Sequence, residues 1–221
     1  RQDRHELDAH LEYLSPRYLL YTDLSDILAH KRLYQQLKDN AFVWDISNED
    51  NLQARTVTIC AKDRPGLFSK IAGVFALNGL DILMADIFTW KNNIALDIFT
   101  VRPPADLIYE AERWEKVGDH LKSALSDELD PASALLLEDA SSDSKCQYAN
   151  HPHRITIDNQ TSSFFTIIEI IAYDCPGLLF QITDALFRQG LDVRIAKIAT
   201  KIDQVVDVFY VRDVDGQKVE N

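Results

Sequence analysis

Hydrophobic and polar positions along the chain switch between two periods, and they do so twice. Thr56 to Ala61 and Phe165 to Tyr173 are runs rich in Ile, Val and Thr, the composition of strands. A Pro-Gly pair follows each run, and then apolar residues recur at helical spacing. They are Leu67, Ile71, Val74 and Phe75 in the first half, and Leu178, Ile182, Ala185 and Leu186 in the second. Proline lacks an amide donor yet suits a first helical turn, so each strand stops there and a helix begins. Gly79 and Gly190 end the helices, where a left-handed cap favours a residue without Cβ. Two more strands complete each pattern. These are Asp81–Thr89 and Ile94–Val101 around Lys91-Asn92-Asn93, then Asp192–Thr200 and Val205–Val211 around Lys201-Ile202-Asp203-Gln204.

The two patterns are copies. Asp63-Arg64-Pro65-Gly66-Leu67 returns as Asp174-Cys175-Pro176-Gly177-Leu178, shifted by 111, and Gly79-Leu80-Asp81 returns as Gly190-Leu191-Asp192 at the same shift. Asp97-Ile98-Phe99-Thr100-Val101 returns as Asp207-Val208-Phe209-Tyr210-Val211 at a shift of 110. A period this long means tandem domains; solenoids and propellers repeat every ~20–50 residues.

In the first copy, 107–125 reads as a second helix after the stop at Pro103-Pro104. Residues 127–145 carry six acidic side chains against one basic, which suits a solvated linker. The alternation His153-Arg154-Ile155-Thr156-Ile157 then reads as a fourth strand closing the first copy. The expected fold is therefore α+β: two tandem ferredoxin-like βαββαβ domains, each a four-stranded sheet with helices on one face. The second copy reaches Asn221 before its second helix and is read as incomplete. Residues 1–14 and 25–38 read as helices separated by Ser15-Pro16, with Ser25 as a cap. The expected division is 1–50, the helical tail of an upstream domain with a connector; 54–160, the first domain with an acidic loop at 127–150; and 164–221, the second.

Composition narrows the function. With 35 Asp and Glu against 23 Lys and Arg, the net charge of -12 repels phosphate backbones, so nucleic acid is an unsuitable partner. No apolar run reaches the ~20 residues of a membrane span. Cys60, Cys146 and Cys175 are scattered and form neither a disulfide framework nor a zinc knuckle, which points to a reducing cytoplasm. The first residue is Arg1, which is read as the start of a piece of a longer polypeptide.

The duplicated loops are the candidate chemistry. A helix start carries outward amides with partial positive charge, and those of Gly66, Leu67, Gly177 and Leu178 could hold a carboxylate. Asp63 or Asp174 could attract an ammonium group, so a zwitterionic amino acid matches the arrangement. Helix capping by Asp with Pro-Gly as a simple turn fits the same spacing. Cys175 reads as a buried or half-buried small residue, His151-Pro152-His153 as loop and strand entry, and Asp213-Val214-Asp215-Gly216 as a turn. Asp97 and Asp207 alternate onto a face with Phe99, Val101, Phe209 and Val211. That face is expected to be the open one, used for packing against a partner, with the carboxylates otherwise at strand ends in solvent. No triad, nucleophile elbow, phosphate loop or zinc helix appears.

Strand, Asp-Arg-Pro-Gly-Leu, helix, Asn78-Gly79-Leu80-Asp81-Ile82 and hairpin together resemble the ACT domain, an amino-acid-sensing module. The resemblance narrows to the C-terminal region of the bacterial protein-PII uridylyltransferase/uridylyl-removing enzymes. It is carried by Leu14-Ser15-Pro16-Arg17-Tyr18-Leu19, by Arg154-Ile155-Thr156-Ile157-Asp158-Asn159, and by Ala196-Lys197-Ile198-Ala199-Thr200 with Val206 to Val211. It implies glutamine sensing in nitrogen regulation, with no catalysis in this segment. Nucleotidyltransferase and phosphohydrolase domains would lie upstream, magnesium would belong to them rather than to this segment, and protein PII would be the partner of the whole enzyme. A homodimer is a further implied possibility. Carried over, the first site comprises Asp63, Arg64, Gly66 and Leu67, completed by Asn78 and Ile82. The second comprises Asp174, Gly177 and Leu178, completed by Gln189 and Val193. Cys175 departs from the basic residue of the pattern, which makes the first site the expected stronger one. An interaction module without ligand is the alternative.

Overall fold

The computed structural model describes residues 12–49, 54–103, 109–139, 152–175, 177–201 and 204–219. In chain order its elements are α1 (Pro16–Tyr21), α2 (Leu24–Leu37), β1 (Phe42–Glu49), β2 (Ala54–Lys62), α3 (Leu67–Leu77), β3 (Asp81–Thr89) and β4 (Ile94–Arg102). Then come α4 (Glu110–Leu125), α5 (Pro131–Asp139), β5 (Arg154–Asp158), β6 (Thr166–Tyr173), α6 (Leu178–Arg188), β7 (Asp192–Lys201) and β8 (Gln204–Arg212). The eight strands form one sheet in the order β1-β2-β4-β3-β7-β8-β6-β5. Each half is a βαββ unit with an added edge strand. The units meet where β3 pairs with β7 antiparallel, through Met84 with Ala199, Ala85 with Ile198 and Asp86 with Lys197.

The edge strands are not where the periodicity places them. Arg154–Asp158, expected to close the first copy, pairs with β6 of the second, Ile155 opposite Ile170 and Ile157 opposite Ile168. The first unit takes its edge strand from Phe42–Glu49, a stretch assigned above to the connector, which pairs with β2. The order is thus ββαββ followed by a helix, Glu110–Leu125 (α4), in the first unit and ββαββ in the second, rather than βαββαβ. Alternation identifies a strand but not its neighbour, because either edge of a sheet offers unpaired backbone groups. The units accordingly divide near the acidic segment, earlier than residue 160.

Helices α3 and α6 pack side by side on one face. Beneath them a continuous apolar core crosses the seam, from Val57, Phe75 and Phe99 in one unit to Ile168, Phe209 and Val211 in the other. Each such side chain contributes roughly 1.5–3 kcal/mol by burial, so the two units share much of their stability. Phe99 and Phe209 lie on this covered face together with Asp97 and Asp207, each of which is 1% exposed. The expectation of an open aromatic face with solvent-exposed carboxylates is therefore reversed: period two separates two faces without saying which one the helices cover. The opposite face of the first unit is covered in turn by α1 and α2, where Tyr18, Leu33, Trp90 and Leu96 cluster. Tyr18 and His30 share a buried hydrogen bond of 2.7 Å there.

Helix α1 begins at the Ser15-Pro16 pair taken above for a separator: Ser15 Oγ accepts the Tyr18 amide at 3.2 Å, with Pro16 in the first turn. The cap of α2 is Asp23, and Ser25 falls inside the helix. Residues 131–139 of the acidic segment form α5. The helix expected over 1–14 and the residues His151 and Cys146 lie mainly or wholly outside the described residues. Cys175, read above as a small residue outside any disulfide framework, is disulfide-bonded, which departs from the reading of three scattered reduced cysteines, and Cys60 is a free thiol whose burial pushes its pKa up to about 12.

Helix α4 covers the edge of the first unit through Trp114 stacked edge-on against Trp44, centroids 6.0 Å apart. Arg55 on β2 anchors it by a two-pronged pair to Glu110, with contacts of 2.6 and 2.8 Å, and Trp114 Nε1 donates to the same carboxylate at 3.2 Å. Glu110→Ala leaves the Arg55 guanidinium with only the Ala54 carbonyl, at 3.0 Å, and without a charged partner, and should cost about 1–3 kcal/mol. Urea unfolding checks this, and an unchanged midpoint would count against the anchor. Over the second unit no such helix occurs among the described residues, and Ile155 and Ile157 remain 55% and 64% exposed.

Candidate functional site

Each duplicated loop is a tight turn leading into a helix. The Leu67 amide bonds to the Arg64 carbonyl at 3.1 Å, and the Leu178 amide to the Cys175 carbonyl at 3.0 Å. Gly66 and Gly177 sit at φ 78° and 74°, the third position of a type II turn, where a side chain would be strained. The amides of Leu67 and Leu178, proposed above to hold a carboxylate, are therefore spent within the turn. Those of Phe68 and Ser69, and of Leu179 and Phe180, are the early helical amides with no acceptor within their own helix. The N-cap residues are Gly66 and Gly177, which bring no side chain to the helix start, while Asp63 and Asp174 accept from the backbone of the next residue, Arg64 or Cys175.

The seam between the units then completes each pocket with residues from the other copy. Asp174, Gly177 and Leu178 face Gly79, Asp81 and Ile82 across a cavity of about 430 Å³. Asp63, Gly66 and Leu67 face Leu191, Asp192 and Val193 across a hollow of about 20 Å³. Ile82 and Val193 are thus exchanged relative to the expectation above: each belongs with the opposite loop. The cause is the antiparallel β3–β7 pairing, which sets the start of each strand beside the partner unit's helix. Asn78 and Gln189 line neither pocket. The Asn78 amide group donates to the Val74 carbonyl at 2.7 Å and meets His120 at 3.1 Å, fastening α3 to α4, while Gln189 is exposed at the end of α6. Arg64 lines the smaller hollow, and its guanidinium donates to the Leu125 carbonyl at the end of α4.

The carboxylates of the two pockets differ in their company. Burial raises the pKa of Asp174, the charge of Asp81 raises it further, and the Cys175 amide and Arg102 offset only part of this. Asp81 is itself held by Arg102 at 3.0 Å. Asp63 is likewise raised by burial, but Arg194 meets it directly at 2.6 Å and also reaches Asp192 at 3.1 Å. Periodicity could not find Asp81 and Phe187 as pocket residues, or Arg194 as the partner of Asp63, because each acts across the seam. Among the described residues no cluster of His, Cys, Asp and Glu is placed to hold a metal ion, and no helix is long and apolar enough to cross a membrane.

Two βαββ units joined edge to edge, with a turn-to-helix pocket at each end of the seam, define an ACT-domain protein, and residues 55–106 match the ACT domain family. The chain is 37% identical to the bifunctional uridylyltransferase/uridylyl-removing enzyme of Azospirillum brasilense, over 98% of this chain and 24% of that protein. It is 33% identical to the Rhodospirillum rubrum enzyme of that name over 96% of this chain and 23% of that protein, and 41% identical to the Gluconobacter oxydans one over 74% and 17%. The chain belongs to this family, as its ACT-bearing region, and spans about a quarter or less of the length of these relatives.

Proposed function

We propose that this chain is the amino-acid-sensing regulatory segment of a uridylyltransferase/uridylyl-removing enzyme, and that its ligand is glutamine. One observation carries the reading: a cavity of about 430 Å³, built from both ACT units, places an anionic side chain opposite early helical amides. Its size lies within the ~300–1000 Å³ usual for small-molecule sites. The amides of Leu179 and Phe180 would receive the α-carboxylate. Asp174, with Asp81 beside it, would receive the α-ammonium through charge-assisted hydrogen bonds.

Signalling follows from the seam. A ligand held by residues of both units favours whichever mutual arrangement brings them together, and only such a difference in affinity can shift an equilibrium. The shift would reach catalytic domains outside this chain and so set the balance between addition and removal of UMP on protein PII. Titration calorimetry with L-glutamine should give saturable heat, and ligand at 100 times its Kd should stabilise the fold by about 2.7 kcal/mol. Because burial raises the pKa of Asp174, affinity should fall on acidification sooner than for an ordinary aspartate. Absence of heat at millimolar glutamine with a folded chain would sink the proposal.

The exposed Ile155 and Ile157 favour a second reading, an association surface. Sedimentation that depends on protein concentration but not on amino acids would support it.

A further inference from the structure

The loops are repeated but the pockets are not equivalent. At a shift of 111, Ala76 corresponds to Phe187 and Leu83 to Arg194. Those two exchanges account for the difference in room. A Cβ built on Gly66 would stand 2.8 Å from the ring of Phe187, whereas one built on Gly177 would meet only the methyl of Ala76, at 3.8 Å. The aromatic ring thus lies directly on the first turn, where a guest would have to approach the backbone. Arg194 supplies the second half of the closure. Its guanidinium sits 2.6 Å from Asp63, in the position an ammonium group would take, and bridges to Asp192 at 3.1 Å. What remains is about 20 Å³, little more than the ~10–15 Å³ that one water needs.

We infer that the chain carries one amino-acid site, between Asp174 and Ile82, and that Phe187 and Arg194 seal its counterpart at Asp63 as a self-liganded half of the pair. The inference rests on the amino-acid reading above and adds which half is used. It reverses the ranking suggested by Cys175, because the loop's own sequence does not reveal what the opposite unit inserts. Asp97, whose Oδ1 has no partner and which borders the sealed hollow, does not argue for a cationic guest there. Burial raises its pKa well above the usual carboxylate range, which disfavours the charged form that would attract one.

Equilibrium dialysis of the full chain with radiolabelled L-glutamine reads the number of sites. One ligand per chain is expected. Asp174→Asn should weaken binding by about tenfold or more, the loss of a charge-assisted hydrogen bond, and Asp63→Asn should leave it within about twofold. The double variant Phe187→Ala with Arg194→Leu, which copies the open half, should raise the count toward two. Circular dichroism of each variant separates loss of binding from loss of folding. Two equal sites in the unaltered chain, or binding abolished by Asp63→Asn and untouched by Asp174→Asn, would overturn the inference while leaving amino-acid sensing intact. No binding of glutamine at all would overturn both.

Discussion

Raising the pH from about 5 to about 8 should weaken this fold, and Asp207→Asn should remove its own share of the loss. Asp207 is 1% exposed on β8, and its Oδ1 has no hydrogen-bond partner. Burial pushes its pKa up to about 7 from 3.8, the Ala199 amide pulls it partly back, and the nearby Asp174 raises it further. The sign follows from proton counting. Between the unfolded and folded values the native chain holds a proton that the unfolded chain has released, so stability falls as pH rises through that window. At 1.36 kcal/mol per pKa unit the full loss is about 4 kcal/mol, complete once the pH passes the folded value. Asp97 acts in the same direction. An asparagine carries no charge at any pH, so the gain from Asp207→Asn should be about 3 kcal/mol larger at pH 8 than at pH 5. Urea unfolding at the two pH values decides the matter. Equal stability of the unaltered chain at both would mean that Asp207 ionises with adequate solvation.

Gly73→Val should pry the two ACT units apart. Gly73 lies in α3 where it crosses α6, and a Cβ there would come within 2.6 Å of the Pro131 ring and 2.8 Å of the Phe180 ring. Neither neighbour is a flexible chain end: Pro131 opens α5, and Phe180 is 8% exposed in the first turn of α6. Overpacking of this kind costs about 1–3 kcal/mol, and the branched side chain places the expectation near 3. Because Phe180 also borders the open pocket, glutamine affinity should fall with stability. Thermal unfolding and calorimetry on the same sample check both. Unaltered melting would mean that the helices have room to separate, and the seam would then be looser than its packing implies.

These two effects show where a reading of the chain in one dimension succeeds and where it stops. The helix of the first unit was expected from Leu67, ends at Gly79 in a left-handed conformation as anticipated, and is followed by a strand starting at Asp81. Such features depend on residues within a few positions of one another, so composition and spacing suffice. The ACT resemblance likewise rests on a local succession of strand, turn and helix.

Sequence by itself determined that there are two copies, what each is made of, and which turn holds the recognisable loop. Tertiary structure alone decided which edge each outer strand joins, which sheet face the helices cover, and that Ile82 and Val193 serve opposite loops. It also decided that one pocket is open and the other shut, since Phe187 and Arg194 reach Gly66 and Asp63 from more than a hundred residues away. The physical reason is that backbone preferences and periodicity act over one or two turns of chain, whereas pairing and closure are contacts between surfaces. Surfaces meet only after both have formed, and no short-range pattern records which partner each will find.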